Sequence, residues 1–455
     1  MTNHDKDTRR PTTERPSSER PSSERLGPER LGTDDDLFIR MEHALGLGVI
    51  NQGLWRFDGR LDPDVLSALA TRLRYGRLSR LARRRPPPVR DRWHYTPAAG
   101  MTHFEDEPVA EGDAVAWARR QAERGVDSVA GPAWRLTAAY SADRRTTFVS
   151  LIAAHAVADG WSMVTAVEEA VLGTDYAVTT ERVGALDDVV DGVRTAARAA
   201  RAAGRLIAGT VGSRRGPTPT GPVRPPGLIA EDPCGILLSI PADDYARAFA
   251  RAQGSANALF VAIMVGLLAE AGIVGPDDVV PVSIPVSMHP DGDRRANATT
   301  GTTAQIRVSD DRYHDLTAIR AACKEAYRSV HTGTSTMGHL SQVAQALGDR
   351  PVRRLAANGS TPMCLASNLG ELSPEFCSLG SGLDAEIAVR AFTGRPAGTA
   401  DFGGGVSGWF GVGPRAIGLA VTSLDPRLAA DDAALAVLVR AELKRWELEA
   451  SEWGE

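Results

Sequence analysis

The sequence has little of several residue types, and each shortage argues against a class of protein. Aromatic residues make up only 5% of the 455 residues, which argues against a stacking surface for nucleic acid. The 52 basic and 57 acidic residues give a net charge of −5, so no excess of positive charge is present to bind a phosphate backbone. We therefore expect no nucleic-acid partner.

Cysteine is also scarce, and long apolar runs are missing. The spacings of Cys234, Cys323, Cys364 and Cys377 match no zinc or redox motif, so we expect no metal site. Four cysteines without such a motif favour a reduced, cytoplasmic compartment. No apolar run reaches the ~18 residues needed to cross a bilayer, and the polar N-terminus is unlike a signal peptide.

The length of the chain favours two lobes, because 455 residues exceed what one hydrophobic core usually serves. Residues 1–33 repeat short polar blocks such as Glu-Arg-Pro-Ser-Ser, and such a segment buries too little apolar surface to fold. We predict a disordered tail over 1–33, a first lobe over 34–175, a linker helix and crossing loop over 176–226, and a second lobe over 227–455.

Helical and strand patterns mix through both predicted lobes, which indicates an α/β or α+β fold. The segment from Thr146 to Ala154 is mostly apolar without alternation, as in a strand buried on both faces. Residues 161–172 have helical spacing, and Asn257 to Ala271 form a strongly apolar helix. The prolines at 86–88 exclude a helix after the basic run 83–85, so that stretch is predicted as a loop.

One histidine stands directly after the predicted buried strand. His155 is followed by Asp159 and Gly160 in the stretch His-Ala-Val-Ala-Asp-Gly. A histidine at a strand end is held by a rigid scaffold, and its imidazole titrates near physiological pH, so it can take and return a proton. His-x-x-x-Asp is a short pattern, however, and a histidine that merely ends a strand is the competing interpretation.

The stretch from Ala154 to Gly160 resembles the His-His-x-x-x-Asp-Gly signature of the chloramphenicol acetyltransferase-like superfamily, with Ala154 in place of the first histidine. Asn257 lacks the Asp expected after it, and His289 stands where an Arg is expected. Further segments are similar to the bacterial wax ester synthase/diacylglycerol acyltransferase branch and keep its order: Leu37–Glu42, Trp55–Gly59, Pro132–Trp134, Asn257, Pro285–Ser287, Asn297, Ser367–Gly370 and Asp401–Gly405.

This resemblance implies two pseudo-symmetric lobes with an active-site channel between them. It implies that His155 is the catalytic base and that Asp159 is largely structural, and Gly160 permits a tight turn. It also implies acyl-CoA as co-substrate and no metal or redox cofactor. Because no nucleophile motif such as Gly-x-Ser-x-Gly surrounds His155, proton transfer would be direct, without a covalent enzyme intermediate.

The second lobe supplies further candidates. Ser367 and Asn368 end an apolar strand that, in a two-lobed acyltransferase, faces His155, so a polar group there could hold the oxyanion. A strand-end Asn that makes a turn is the equal alternative. Trp161 is expected in the core or on the cleft wall, and His289 is interpreted as a surface turn residue.

Four arginines share one face of a predicted Ala-rich helix in the linker: Arg194, Arg198, Arg201 and Arg205. This stripe could contact anionic lipid or the phosphates of coenzyme A. A solvated face on a linker helix is the alternative, and we favour it.

Three functional hypotheses follow. The first is an O-acyltransferase that moves an acyl group from acyl-CoA to a small hydroxyl acceptor such as a fatty alcohol or diacylglycerol, in the cytoplasm or at a lipid surface. The second is a natural-product acyltransferase that uses an acyl carrier protein from another chain and an amine or hydroxyl acceptor. The third is a non-catalytic binding module, which Ala154 favours and the retained His155, Asp159 and Gly160 oppose.

Overall fold

The computed structural model describes residues 29–110, 112–176, 184–212, 233–330, 336–356, 362–393 and 405–453. The predicted tail up to residue 28, the crossing loop after residue 212 and the segment 401–404 lie outside these ranges. Residues 29–33, which we assigned to the tail, belong to the first lobe. Leu31 is fully buried, and its backbone N–H donates to the carbonyl of Asp91.

The first lobe and the linker alternate helices and strands, as predicted. Their elements are α1 (Thr33–His43), β1 (Val49–Asp58), α2 (Pro63–Tyr75), β2 (Arg80–Arg83), β3 (Arg92–Tyr95), β4 (Gly100–Phe104), α3 (Ala114–Glu123), β5 (Trp134–Tyr140), β6 (Thr146–Ala154), α4 (Gly160–Leu172) and the linker helix α5 (Ala185–Gly212). β2 and β3 pair with each other as a short separate ribbon. The predicted basic loop therefore begins after Arg83.

The second lobe is built around a seven-stranded sheet. Its elements are β7 (Cys234–Pro241), α6 (Ala242–Arg251), α7 (Ala256–Glu270), β8 (Val279–Ser287), β9 (Thr299–Arg307), α8 (Thr317–Val330), α9 (Thr336–Gln345), α10 (Asp349–Ala356), β10 (Cys364–Glu371), α11 (Pro374–Ser378), β11 (Ala385–Thr393), β12 (Val406–Val412), β13 (Ala416–Ser423), α12 (Asp432–Arg445) and β14 (Ser451–Glu452). The strand order is β14-β7-β13-β12-β10-β8-β9. α7 is buried from Ala258 to Leu268, which is why its sequence is apolar all round.

One strand from the predicted second lobe crosses to the first. The first-lobe sheet has the order β11-β1-β6-β5-β4, and β11 pairs antiparallel with β1 along its whole length. β11 also passes close over β13 of the second sheet: a Cβ on Gly418 would lie 1.9 Å from the backbone oxygen of Ile387. The absence of a side chain at Gly418 therefore permits this close crossing.

Salt bridges attach the linker helix α5 to the first lobe. Asp188 pairs with Arg30, Arg85 and Arg92, and Asp191 pairs with Arg90. Three members of the predicted arginine stripe, at 194, 201 and 205, are exposed, and the fourth, at 198, is partly exposed.

No single helix within the described ranges is long and apolar enough to cross a membrane. α6 and α7 reach the required length and composition only as a pair, and they are bent by 86° relative to each other.

Candidate active site

His155 lies immediately after β6, as predicted, and faces a cavity between the lobes. β6 is buried on both faces and pairs with β1 on one side and β5 on the other. The backbone N–H of His155 donates to the carbonyl of Val49 (2.8 Å), which continues the pairing with β1 beyond the strand end. The imidazole stacks on Phe38 of α1, with 3.7 Å between ring centroids.

One ring nitrogen of His155 is held by Asn297, from the loop between β8 and β9. Nδ1 of His155 lies 3.0 Å from Oδ1 of Asn297. The amide nitrogen of Asn297 donates to the carbonyl of Ala156 (2.9 Å) and to the carboxylate of Asp35 (3.1 Å). Because both partners are acceptors, the amide oxygen faces His155, and Nδ1 carries the hydrogen. Nε2 keeps its lone pair and has no hydrogen-bond partner among the described residues.

Burial also prepares His155 as a base. Removal from water lowers the pKa of its imidazole, and the charge of Asp159 and the hydrogen bond to Asn297 oppose this only in part. The ordinary pKa of histidine is about 6.5, so the imidazole is neutral at physiological pH. A general base has to be in this state before it can accept a proton.

Asp159 connects the two lobes. Its Oδ1 accepts from the backbone N–H of Ser162 (2.9 Å) and so caps the start of α4. Its Oδ2 accepts from the backbone N–H of Ala298 (3.0 Å) and from the hydroxyl of Thr299 (2.9 Å) in the second lobe. These contacts fix the turn that follows His155.

The prediction that His289 is a surface turn residue is wrong. Its side chain is fully buried, with Nε2 2.8 Å from Asp159 Oδ2 and Nδ1 2.9 Å from Asp293 Oδ2. Since carboxylates accept hydrogen bonds, the two ring nitrogens of His289 are placed as donors between Asp159 and Asp293. Burial works to raise the pKa of Asp159, but hydrogen bonds from His289 and from the backbone outweigh it and lower that pKa to about 2. The sequence held a signal for this position, because the resemblance leads one to expect an arginine here, which also donates hydrogen bonds to carboxylates.

Arg80 was missed by sequence reasoning because it belongs to no motif. Its guanidinium is fully buried and lies over the ring of Trp93. Nε donates to the carbonyl of Val157 (3.1 Å), and Nη1 donates to the carbonyl of Arg294 (3.1 Å). One cation thus holds both the turn after His155 and the loop that carries Asn297.

The cavity has a volume of about 380 Å³, which is typical of a small-molecule pocket. The residues singled out from the sequence line it together: His155, Asp159, Gly160, Trp161, Ser367 and Asn368. Trp161 forms part of the wall and stacks on His289 (4.2 Å between centroids). Phe38, Leu365 and Trp409 add apolar surface.

Of the two oxyanion candidates, the side chain of Asn368 is held more firmly than that of Ser367. The amide nitrogen of Asn368 donates to Asn257 (3.0 Å), and its oxygen accepts from the backbone N–H of Gly370 (2.7 Å). Asn257 donates in turn to the hydroxyl of Tyr327 (3.1 Å). The Ser367 hydroxyl has no hydrogen-bond partner in the described part of the chain, so it can turn toward a bound ligand.

Gly160 is the first residue of α4 and lies beside Leu369 of the second lobe. A Cβ at Gly160 would stand 3.6 Å from a methyl group of Leu369, which is an ordinary contact. Backbone strain therefore does not require glycine here. A side chain would instead narrow the cavity between the two lobes.

Comparison with known proteins gave matches only at the level of structure. No family model matches the chain, and no curated protein matches its sequence. Among solved structures, the wax ester synthase/diacylglycerol acyltransferase from Marinobacter aquaeolei VT8 is 13% identical with a TM-score of 0.56, over 92% of this chain and 98% of that chain. The first condensation domain of the CDA synthetase is 16% identical with a TM-score of 0.57, over 92% and 96%. The TRI3 trichothecene 15-O-acetyltransferase from Fusarium sporotrichioides is 12% identical with a TM-score of 0.56, over 92% and 94%.

The chain has the chloramphenicol acetyltransferase-like fold. This confirms the expected architecture of two mixed α/β lobes with a channel between them. At this level of identity the likeness concerns the fold, and it does not assign a role to any residue. The roles of His155, Ser367 and their neighbours therefore stay predictions that rest on the geometry above.

Proposed function

We propose that this protein is an acyltransferase that moves an acyl group from a thioester to a hydroxyl acceptor, with His155 as general base. The proposal rests on the hydrogen bonding of His155. Its Nδ1–H donates to Asn297, while Nε2 has no partner among the described residues and lies at the wall of the interlobe cavity. Two of the similar structures are named as acyltransferases that act on oxygen acceptors, a wax ester synthase/diacylglycerol acyltransferase and a 15-O-acetyltransferase.

The geometry supports a direct mechanism. Nε2 of His155 would take the proton of the acceptor hydroxyl while the acceptor oxygen attacks the thioester carbonyl carbon. The hydroxyl of Ser367 could then donate to the oxyanion, a contribution on the order of 3 kcal/mol when a donor is well placed. As the carbon–sulfur bond breaks, Nε2 would return the proton to the thiolate, which leaves an ester and a free thiol.

We infer acyl-CoA as donor and a fatty alcohol or diacylglycerol as acceptor. The apolar surfaces of Phe38, Leu365 and Trp409 suit an acyl chain or a lipid acceptor. Glu168 and Glu371 also line the cavity, so the anionic phosphates of coenzyme A would stay outside while the thioester enters. A lipid acceptor would require contact with a membrane or lipid surface.

Thiol release provides the test. Purified protein with long-chain acyl-CoA and a fatty alcohol should release free thiol and form an ester that mass spectrometry identifies. We expect His155→Ala to lower turnover by about 100- to 10,000-fold, the usual contribution of a general base. His314→Ala is the matched control, because His314 is exposed, and it should keep wild-type turnover. Unchanged turnover in a folded His155→Ala protein would contradict the mechanism.

A second candidate is acyl transfer from a carrier protein, which the similarity to a condensation domain favours. The same assay separates the two when an acylated carrier protein replaces acyl-CoA. Transfer from the carrier but from no CoA thioester would reject the CoA proposal in favour of this candidate. No transfer from either donor would reject both and leave a binding module.

A further inference from the structure

Three buried side chains form a hydrogen-bonded series at the lobe boundary. Asp35 of α1 accepts from the amide nitrogen of Asn297 (3.1 Å), and the amide oxygen of Asn297 faces Nδ1 of His155 (3.0 Å). Asp35 and Asn297 are each only 3% exposed. The second oxygen of Asp35 accepts from the backbone N–H of Gly32 (2.8 Å), so the carboxylate is itself fixed at the start of α1.

The orientation of the Asn297 amide decides which nitrogen of His155 is the base. An amide group has nearly the same shape after a half-turn, but oxygen and nitrogen exchange places. After such a turn, the amide nitrogen would donate to Nδ1 of His155, and the hydrogen of the imidazole would move to Nε2. The half-turn would also aim the amide oxygen at two acceptors, Asp35 and the carbonyl of Ala156, which opposes it.

Asp35 is the stronger of these two acceptors because it can carry charge. Burial raises the pKa of its carboxyl to about 6, while the charge of Arg80 and hydrogen bonds from Gly32 and Asn297 limit the rise. The carboxylate is therefore mostly ionised at neutral pH. Charge-assisted hydrogen bonds are about twice as strong as neutral ones, so Asp35 contributes most to the preferred amide orientation.

We propose that Asp35 is a positioning residue for His155: through Asn297 it keeps the hydrogen on Nδ1 and leaves Nε2 as the proton acceptor. The kinetic consequence rests on the proposed function, whereas the tautomer of His155 can be measured without any substrate. Asp35 acts at a distance and does not contact the acyl group.

The test measures the tautomer directly. In the full chain labelled with ¹⁵N in histidine, the NMR chemical shifts of the ring nitrogens distinguish Nδ1–H from Nε2–H. The variant His155→Gln identifies which signals belong to His155 among the nine histidines. We expect Nδ1–H in the wild type and a substantial Nε2–H population in Asp35→Asn. In the proposed reaction, kcat of Asp35→Asn should fall by about 10- to 100-fold, since a hydrogen bond to a charged group is lost, with KM changed by less than about threefold.

The neighbouring Asp36 gives a matched control. It lies on the same helix turn and is equally buried, but it pairs with Arg40 (2.6 Å). We expect Asp36→Asn to lower the thermal unfolding midpoint while the His155 tautomer and kcat stay as in the wild type. If Asp35→Asn does not fold, Asp35→Ser provides a second variant. The serine keeps an acceptor near Gly32 but is too short to reach Asn297, so we expect the same change of the His155 tautomer.

The outcomes separate the inference from the proposed function. An unchanged Nδ1–H tautomer in a folded Asp35 variant would overturn the inference, even if the wild type transfers acyl groups. An Nε2–H tautomer in the wild type would overturn it as well. A wild type that transfers no acyl group, but whose tautomer changes in the Asp35 variants, would overturn the proposed function and support the positioning role.

Discussion

The imidazole of His155 is constrained on separate sides by separate residues. Phe38 covers one ring face, Asn297 takes the hydrogen of Nδ1, and Nε2 alone remains for a ligand. A side chain held in this way loses little conformational freedom when a substrate binds, so proton transfer needs no rearrangement of the base.

The acid limb of the pH–rate profile tests the environment of His155. Burial lowers its pKa, and a base works only when it is unprotonated, so activity should persist to lower pH than for a histidine in water. We expect kcat/KM to be flat near pH 7 and to fall with a midpoint below about 6.5, the ordinary value for histidine. A midpoint at or above 6.5 would show that burial does not act as described, and His314→Ala should leave the profile unchanged.

At the scale of single residues, the sequence pointed to residues that lie in recognisable motifs. It missed residues whose contacts come from distant parts of the chain. The sequence singled out His155, Trp161 and Ser367, which line the cavity, and their roles stay predictions. Asp35 and Arg80 could not be found, because their partners lie 262 and 214 positions away in the chain. His289 was misinterpreted because a histidine beside prolines and glycines has the local composition of a turn.

Two segments meet at the site, and their contact joins the lobes. The turn after β6 supplies Asp159, and the loop between β8 and β9 supplies His289 and Asn297. The backbone N–H of Asp159 also donates to the carbonyl of Ala296 (3.0 Å). Neither segment is regular secondary structure, so side-chain hydrogen bonds and single backbone bonds, rather than a strand ladder, keep both in place.

His289 is the natural position at which to test this contact. We expect His289→Gln to lower the free energy of unfolding by about 3 kcal/mol, because one amide cannot replace both imidazole nitrogens and the buried carboxylate of Asp159 loses its partner, whereas Asp293 keeps its pair with Arg295. Urea unfolding measures the change. His289→Arg, which restores donors to both acids, should recover part of the loss, and the exposed His314→Gln should stay within about 0.5 kcal/mol. Equal stability of His289→Gln and the wild type would rule out a stabilising role for this contact.

At the scale of the whole molecule, β11 makes the lobes interdependent. It leaves the second lobe, pairs with β1 of the first, and lies close over β13. The cavity occupies the boundary that this strand helps to define, since Val389 and Ala391 of β11 are among its lining residues. The site therefore exists only when both lobes are folded and docked.

Calorimetry tests whether the lobes unfold together. Because β11 and the contacts of Asp159 cross the boundary, we expect one transition whose calorimetric and van't Hoff enthalpies agree. The His289→Gln variant should move that whole transition to lower temperature. Two separate transitions in the wild type would mean that the lobes are independent units.

The sequence by itself determined those features of the fold that depend on the local pattern of residues. The apolar run of β6, the all-round apolar character of α7 and the place of His155 at a strand end follow from neighbouring residues, so periodicity and motif were enough to predict them. Only the tertiary structure decided that β11 crosses between lobes, that His289 is buried between two acids and that Asp35 reaches His155 through Asn297. Each of these depends on residues brought together from distant parts of the chain, and no local pattern records such a contact.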